Sequence, residues 1–236
     1  MAKETLGVLS IKSLENRIIK KSAVIGIVGL GYVGLPLALA FAEAGFNVIG
    51  IDSDKGRVNK ILRGISYLLD ITSPRLKKAV SSGRLMATTS QSDLRRVDTI
   101  IICVPTPLTK TKEPDLTYIV DATNEIARYL RLGHLVILES TTYPGTTREI
   151  VLPLLESTGL KVGVDYFLTF SPERIDPGSK KFTIRNTPKV VGGMDPTSTR
   201  LAALLYGHVS DKVLEVSTPR LPRWTRSLKM SSAASI

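Results

Sequence analysis

Short apolar runs alternate with segments of helical periodicity through most of the chain. Residues 23–28 form a β-branched run typical of a buried parallel strand, residues 32–44 a helix that ends at Gly45, and Asn47–Ile51 a second strand. Further strands are predicted at 97–104, Leu135–Leu138, 166–170, 189–191 and 212–216, and further helices at 116–130, 147–156 and 196–205. This alternation predicts an α/β fold with a doubly wound parallel sheet, which binds ligands at the carboxyl ends of its strands.

The turn between the first strand and the first helix contains Gly29-Leu-Gly31-Tyr-Val-Gly34. Residues 23–42 carry no charge and follow Lys20 and Lys21, so their length alone would allow a membrane helix. The glycines and Pro36 would interrupt such a helix in its middle. The sequence therefore favours a strand, a tight turn and a helix, with no membrane as partner.

These three glycines have the spacing of a dinucleotide-binding turn. The first makes the tight turn, the second lets the backbone approach the pyrophosphate, and the third lets helix and strand pack closely. Asp52 follows the second strand, where an acid that binds the ribose is expected and favours NAD over NADP. This context predicts a Rossmann-like NAD-binding domain. The alternative is that the glycines are ordinary turn residues and that Asp52 is a surface acid.

Composition and charge narrow the function classes. The 236 residues are 43% hydrophobic and 22% charged, as expected of a globular domain, and Cys103 is the single cysteine. No Cys/His cluster is present, so no metal site is predicted, and a reducing, cytoplasmic location is the simplest expectation. The net charge is +11, but the basic residues are scattered and are not interleaved with aromatic residues. Nucleotide phosphates are thus a better predicted partner than nucleic acid.

Polar, turn-rich loops follow three predicted strands. They read Cys103-Val-Pro-Thr-Pro-Leu, Glu139-Ser-Thr-Thr-Tyr-Pro-Gly-Thr-Thr and Ser171-Pro-Glu-Arg-Ile-Asp-Pro-Gly. Together with the glycine-rich turn, these motifs resemble the UDP-glucose/GDP-mannose dehydrogenase family over about residues 20 to 216. Within that family, Pro-Thr-Pro-Leu-Thr followed by Glu113-Pro-Asp115-Leu, together with Ser-Pro-Glu-Arg-Ile-Asp-Pro-Gly, looks most like the UDP-N-acetylglucosamine 6-dehydrogenases. Each loop taken alone could be a simple connection between elements.

The resemblance implies an NAD-dependent oxidation of the C6 hydroxyl of a UDP-sugar to the carboxylate, with two hydride transfers, for surface polysaccharide synthesis by a homo-oligomer. By motif position, it implies these NAD-binding residues: Gly29, Gly31, Val33, Gly34, Asp52, Arg57, Thr106 and Thr141. Thr141 and Glu173 would also hold the water that hydrolyses a thioester, with Glu173 as a general base. Glu173 and Arg174 would contact the substrate. The alternative is that Thr141 caps a strand end and that Glu173 is a solvated loop acid.

The resemblance also implies a later catalytic Lys, Asn and Cys that the sequence does not show. Cys103 lies too early for that thiol and is expected to be a small buried hydrophobic residue. His134 and His208 match no catalytic pattern and are expected to be structural or exposed. The predicted organisation is therefore an N-terminal lead of residues 1–22, helical or mobile, then an NAD-binding domain of residues 23–216 without the second domain, and a tail of residues 217–236.

The tail has no consistent helical or strand period, and its charges are the basic residues Arg220, Arg223, Arg226 and Lys229. Reading its codons one base out of frame allows AEMDKVFENVFRSVN, whose apolar residues form an amphipathic helical stripe. We therefore hypothesise an out-of-frame translation, with a natural disordered tail as the alternative. On the first interpretation, the chain binds NAD without completing turnover. On the second, it is a small NAD-binding regulator or reductase, although no Tyr-xxx-Lys pair occurs at a helical position.

Overall fold

The computed structural model describes residues 2–109, 112–140, 142–143, 145–172 and 183–216, with residues 2–10 described by their backbone. The strands are β1 Val24–Val28, β2 Asn47–Ile51, β3 Leu85–Thr88, β4 Thr99–Ile102, β5 Leu135–Leu138, β6 Phe167–Phe170, β7 Lys189–Gly193 and β8 Val213–Glu215. The helices are α1 Ala2–Ile19, α2 Gly34–Glu43, α3 Lys55–Leu62, α4 Ser73–Ser81, α5 Thr117–Tyr129, α6 Leu152–Glu156 and α7 Pro196–Tyr206. A 3₁₀ helix, Gln91–Arg96, precedes β4, and a π-helical turn, Thr147–Val151, leads into α6.

The strands form one sheet in the order β3-β2-β1-β4-β5-β6-β7-β8. The strand order reverses between β1 and β4, as the prediction of a doubly wound sheet requires. Strands β1 to β6 all run parallel to one another. The sheet is not wholly parallel, because β7 runs antiparallel to β6 and carries β8 parallel to itself. Mixed sheets of this kind are common in doubly wound folds. Because β7 runs antiparallel to β6, its first residue, Lys189, lies at the carboxyl end of β5 and β6.

Apolar side chains cover both faces of the sheet. One layer joins alternate strand residues such as Ile27 and Ile137 to α2, α7 and the end of α1, and the other joins Ile102 and Leu138 to α5 and α6. Each fully buried aliphatic side chain of this kind contributes roughly 1.5–3 kcal/mol relative to exposure. The carboxyl edge of the sheet, which the two layers leave free, is where the loops of the candidate site lie.

The predicted N-terminal lead is helical, and its end packs on the core. Leu14 and Ile18, one turn apart, are fully buried where α1 meets α7, whereas Ile19 is exposed. Glu15 pairs with Arg200 of α7 across the same contact. The lead is therefore held on the domain through its last turns.

The sequence pattern did not predict the elements between β2 and β4, which include α3, α4 and β3. Leu85–Thr88 lacks the β-branched run expected of a strand, yet it pairs in parallel with β2 along its whole length. Val58 and Ile61 in α3, and Leu76 and Ala79 in α4, are the buried residues of two short, mostly polar helices. The two helices have eight and nine residues, which is shorter than the window over which an apolar period is read from a sequence.

The spacing of Thr146 and Glu149 in the sequence predicts a capping box at the start of this helix, but the structure does not form it. Thr146 has helical backbone angles (φ −48°, ψ −42°), and its hydroxyl donates to the carbonyl of Tyr143 at 2.9 Å. The following turn is π-helical, so the Glu149 spacing no longer matches a standard first turn. Residues 217–236 lie outside the described residues. Within the described ranges, no helix combines the length and apolar character needed to cross a bilayer.

Candidate functional site

A cleft of about 800 Å³ opens at the carboxyl edge of the sheet, where the strand order reverses. Its volume suits a nucleotide-sized ligand. The loops after β1, β2, β4 and β5 and one face of α5 supply the lining, which includes Gly29, Gly31, Val33, Asp52, Asp54, Arg57, Cys103, Thr106, Tyr118, Asp121, Glu125, Glu139 and Ser140. Six residues predicted from the sequence to bind NAD therefore meet in one cavity.

Packing explains two of the three glycines. Gly29 has φ +91°, and a Cβ at this position would lie 2.7 Å from the carbonyl oxygen of Cys103. A Cβ on Gly34 would lie 1.8 Å from the carbonyl oxygen of Gly29, so α2 approaches the turn too closely for any side chain. Both positions require glycine for the fold itself.

Gly31 differs from them, because a Cβ at this position would meet no atom within 4 Å. The protein therefore leaves free space beside Gly31, and this residue lines the cleft. A glycine that the packing does not require is explained by close approach of a ligand to the backbone. This open cradle fits the pyrophosphate of a dinucleotide.

The first turn of α2 faces the same space. Val33 is its N-cap, and no side chain caps the helix or places an acid in its first turn. The Leu35 N–H donates to the Gly31 carbonyl at 3.1 Å and Pro36 has no N–H, so it is chiefly the positive end of the helix dipole that favours an anion at this position. The helix start and Gly31 together form an anion site at the centre of the cleft.

Asp52 lies directly after β2 and is 6% exposed. Its carboxylate accepts hydrogen bonds from the backbone N–H of Leu30 at 2.7 Å and of Asp54 at 2.9 Å, and Arg57 Nη1 lies 3.4 Å away. Asp52 is therefore not a surface acid. These bonds fix its orientation beside the glycine-rich turn, and an ionised carboxylate retains lone pairs for a further donor such as a ribose hydroxyl.

Arg57 is placed by the start of α3. Asp54 is the N-cap and accepts from the N–H groups of Arg57 and Gly56, which hold the pKa of its carboxyl below the ordinary value. The Arg57 guanidinium reaches back to both Asp54 and Asp52. Among the described lining residues, Arg57 is the basic side chain, whereas Asp52, Asp54, Asp121, Glu125 and Glu139 are acidic.

Tyr67 supports the turn from outside the predicted motifs. Its hydroxyl donates to the carbonyl of Leu30, the residue between the first two glycines. Burial, with a further effect of Asp52, raises the pKa of Tyr67, so the phenol keeps its proton and remains a donor. Its loop lies 37 residues from Leu30 in the chain, and no local pattern could have indicated this contact.

The other half of the cleft is formed by the loops after β4 and β5. Ser140 donates to the carbonyl of Val104 at 2.9 Å, which ties the two loops together beside Thr106. Cys103 is buried as expected, but it also lines the cleft. Thr106 is half-buried at the same place.

Glu139, which the sequence analysis did not single out, is the most buried acid of the lining, at 1% exposed. It accepts hydrogen bonds from the Lys189 ammonium of β7 and from the Tyr206 hydroxyl of α7. Burial, followed by the charge of Glu139, raises the pKa of Tyr206 far above its ordinary value, so Tyr206 stays protonated. These partners lie 50 and 67 residues away from Glu139 in the chain, which explains why sequence spacing did not reveal them.

The remaining candidates lie either outside the described residues or away from the cleft. Thr141, Glu173 and Arg174 lie outside the described residues. His134 is fully buried against Val97, away from the cleft, and His208 is half-buried with its ring 5.1 Å from that of Phe46. Among the described residues, no three His, Cys, Asp or Glu side chains are grouped so that they could hold a metal.

Comparison with known proteins agrees with this geometry. The pattern of the UDP-glucose/GDP-mannose dehydrogenase family, NAD binding domain, matches residues 23–210. The chain is 40% identical over 190 residues to the UDP-N-acetyl-D-glucosamine 6-dehydrogenase of Pseudomonas aeruginosa, covering 80% of this chain and 44% of that protein. It is 38% identical over 183 residues to the UDP-N-acetyl-D-mannosamine dehydrogenase of Pyrococcus horikoshii, covering 77% and 44%.

A solved structure of UDP-D-ManNAc dehydrogenase from Pyrococcus horikoshii superimposes with a TM-score of 0.79 at 36% identity, over 83% of this chain and 47% of that chain. The chain thus spans less than half the length of the curated relatives it matches.

Proposed function

Because the chain belongs to the UDP-glucose/GDP-mannose dehydrogenase family, with residues 23–210 as the NAD-binding domain, we propose that it supplies the cofactor site for oxidation of a UDP-sugar at C6. NAD is the cofactor of this domain. UDP-N-acetylglucosamine is the favoured sugar, supported by the motif set and by the 40% identity to a dehydrogenase of that name. The product would be the uronic acid used in surface polysaccharide synthesis, made in the cytoplasm by an oligomeric enzyme.

The open space at Gly31 is the observation that carries the cofactor role. The fold requires glycine at positions 29 and 34 but not at 31, where the cleft is free beside the uncapped start of α2. An anionic pyrophosphate fits both the space and the electrostatics. NAD, when bound, supplies the hydride acceptor for the oxidation.

The residues of the chain then have separate tasks. Gly31 and Val33 hold the pyrophosphate at the start of α2. Asp52 accepts hydrogen bonds from the hydroxyls of the adenosine ribose. Arg57, which lies beside Asp52, extends along the adenosine half of the cofactor. Thr106 lies on the other side of β1, with the nicotinamide half. The acidic lining disfavours the additional phosphate of NADP, which supports NAD as the preferred cofactor.

Thr141, Glu173 and Arg174 belong to the proposal through their motif positions. Thr141 would contact NAD and, with Glu173, hold the hydrolytic water, while Glu173 and Arg174 would contact the UDP-sugar. The division into residues 1–22, 23–216 and 217–236 also stays a prediction, as does the out-of-frame origin of the last segment. Sequencing the encoding DNA beyond codon 210 tests the latter.

Titration of the full chain with NAD⁺ tests the cofactor site. We expect saturable binding that Asp52→Asn weakens about tenfold, because an amide keeps one acceptor but loses the charge that the ribose hydroxyls and Leu30 N–H use. Asp211→Ala is the matched control, since Asp211 is an exposed carboxylate paired with Arg185 and does not line the cleft. Absence of saturable binding, or equal affinities for the two variants, would contradict the site.

Turnover is a separate question. We expect this chain to bind NAD⁺ without steady NADH production from UDP-N-acetylglucosamine, because the thiol chemistry implied by the family resemblance has no matching cysteine in the sequence. The absorbance of NADH during incubation of the chain with NAD⁺ and UDP-N-acetylglucosamine measures this turnover. Steady NADH production would show that the chain needs no such thiol.

A further inference from the structure

Two carboxylates flank the central strand β1 of the cleft, one on each side of the point where the strand order reverses. Asp52 follows β2, and Glu139 follows β5. In a doubly wound sheet, a dinucleotide lies across this point, with the adenosine ribose at the acid after β2 and the second nucleoside over the other half. Glu139 therefore lies on the nicotinamide side of the proposed cofactor site.

The orientation of the Glu139 ion pair relative to the cleft is defined by its surroundings. Glu139 lines the cleft, whereas Lys189 and Tyr206 do not. Lys189 is 7% exposed, and its ammonium lies 5.2 Å from the centre of the Tyr206 ring. Of the two charged residues of the pair, Glu139 is therefore the one nearer to the cavity.

This arrangement is not explained by stability. Removing two charges from water is costly, and a buried ion pair contributes no more than well-packed apolar residues of the same volume. The buried Tyr206 hydroxyl donates to Glu139 and helps to fix the position of the carboxylate. A dipole held so rigidly at a cleft acts instead on the charge of what binds there.

The two redox forms of the cofactor differ in charge at the nicotinamide ring, which is positive in NAD⁺ and neutral in NADH. A fixed carboxylate nearer to the ring than its counterion favours the positive ring. We propose that Glu139, held by Lys189 and Tyr206, determines the redox-state preference of this cleft and favours NAD⁺ over NADH. The inference rests on the proposed function, because it assumes that the cleft binds NAD.

Binding measurements on the full chain with three ligands test the proposal. ADP-ribose lacks the nicotinamide ring and reports on the rest of the cleft. The double variant Glu139→Gln/Lys189→Met removes both charges of the pair at similar side-chain volume. We expect the Kd for NAD⁺ to rise about three- to tenfold, while the Kd values for NADH and ADP-ribose change less than about twofold.

Tyr206→Phe is the control for local packing, because it removes a donor to Glu139 and leaves both charges in place. Its ratio of NADH to NAD⁺ affinities is expected to stay within about twofold of the wild-type ratio. The inference is overturned if the double variant, with an unchanged melting temperature, keeps the wild-type ratio or weakens all three ligands equally. If the unmodified chain binds none of the three ligands, the proposed function itself fails.

Discussion

Single residues show which parts of the glycine-rich turn serve the fold and which serve the ligand. A Cβ added at Gly34 would clash with the carbonyl of Gly29, whereas a Cβ added at Gly31 would lie in open space, although both glycines belong to one sequence pattern. Sequence spacing treats the glycines alike, because it carries no information on what lies beside each Cα. The distinction can be tested with one added methyl group at each position.

Gly31→Ala should fold like the wild type and bind NAD⁺ about tenfold more weakly, because its methyl group projects into the space left for the pyrophosphate. Gly34→Ala should unfold at a much lower temperature, since its methyl group would lie 1.8 Å from a backbone oxygen. Thermal melts and NAD⁺ titration separate the two effects. A destabilised Gly31→Ala protein would contradict the open space beside Gly31, and a stable Gly34→Ala protein would contradict the close contact at Gly34.

His134 links a single buried residue to the pH dependence of stability. Burial, with the charge of Arg131, lowers its pKa to about 4, so the folded protein holds it neutral between Val97 and Arg131. The unfolded chain takes up a proton near pH 6.5. The contribution of neutral His134 to the free energy of unfolding is therefore fully present above about pH 6.5. It falls by up to roughly 3 kcal/mol as the pH drops towards 4.

Denaturant unfolding of the wild type and of His134→Gln at several pH values measures this effect. The wild type should be the more stable protein at pH 7.5, and its advantage should shrink steadily as the pH falls towards 4. An advantage that is independent of pH would mean that His134 titrates normally in the folded protein.

Helices are stabilised unequally at their starts. The α7 N-cap, Asp195, accepts from the N–H of Ser198 at 3.0 Å and from the Ser198 hydroxyl, whereas the α4 N-cap, Thr72, makes no side-chain cap bond. Both residues are of types that commonly cap helices. The sequence therefore indicates where a cap is possible, and the local geometry decides whether the bond is made.

Asp195→Ala should lower the free energy of unfolding by about 1 kcal/mol, because a backbone donor at the start of α7 loses its acceptor. Thr72→Ala is the matched control and should change stability by less than about 0.5 kcal/mol. Urea unfolding of both variants measures the difference. Equal effects would indicate that the side-chain bond to Ser198 does not stabilise α7.

Opposite ends of the sheet have different tasks in the whole molecule. The cleft lies at the carboxyl end, while buried Asp98 lies at the amino end and accepts from Arg17 at 2.7 Å, Arg131 at 3.0 Å and Val24 N–H at 2.9 Å. These bonds join the end of α1 to the starts of β1 and β4 and to the turn before β5. The amino end thus holds the elements together, and the carboxyl end is free for the ligand.

Asp98→Ala should lower the free energy of unfolding by about 2 kcal/mol, since three donors lose a shared acceptor and the arginines are partly exposed. NAD⁺ affinity should stay within about twofold of the wild type, because the change is at the far end of the sheet. Urea unfolding and NAD⁺ titration give the two values. A large loss of NAD⁺ affinity in the still-folded variant would show that the two ends are coupled.

Local patterns predicted the central strands well, because each strand buried on both faces is a continuous apolar run. They also predicted that the glycine-rich turn and Asp52 lie together, because Gly29 to Asp52 belong to one turn–helix–strand unit. The sequence missed β3 and the antiparallel direction of β7, because pairing with a distant strand, not local composition, makes these elements part of the sheet.

The amino-acid sequence by itself determined the α/β class, the glycine-rich turn and the position of Asp52, because all three depend on periodicity and on spacing within one short unit. The tertiary structure alone decided that Tyr67 supports Leu30 and that Glu139 meets Lys189 and Tyr206. Such contacts join residues that the chain keeps far apart. Burial makes these contacts necessary, since a polar group removed from water destabilises the fold unless another group forms a hydrogen bond with it.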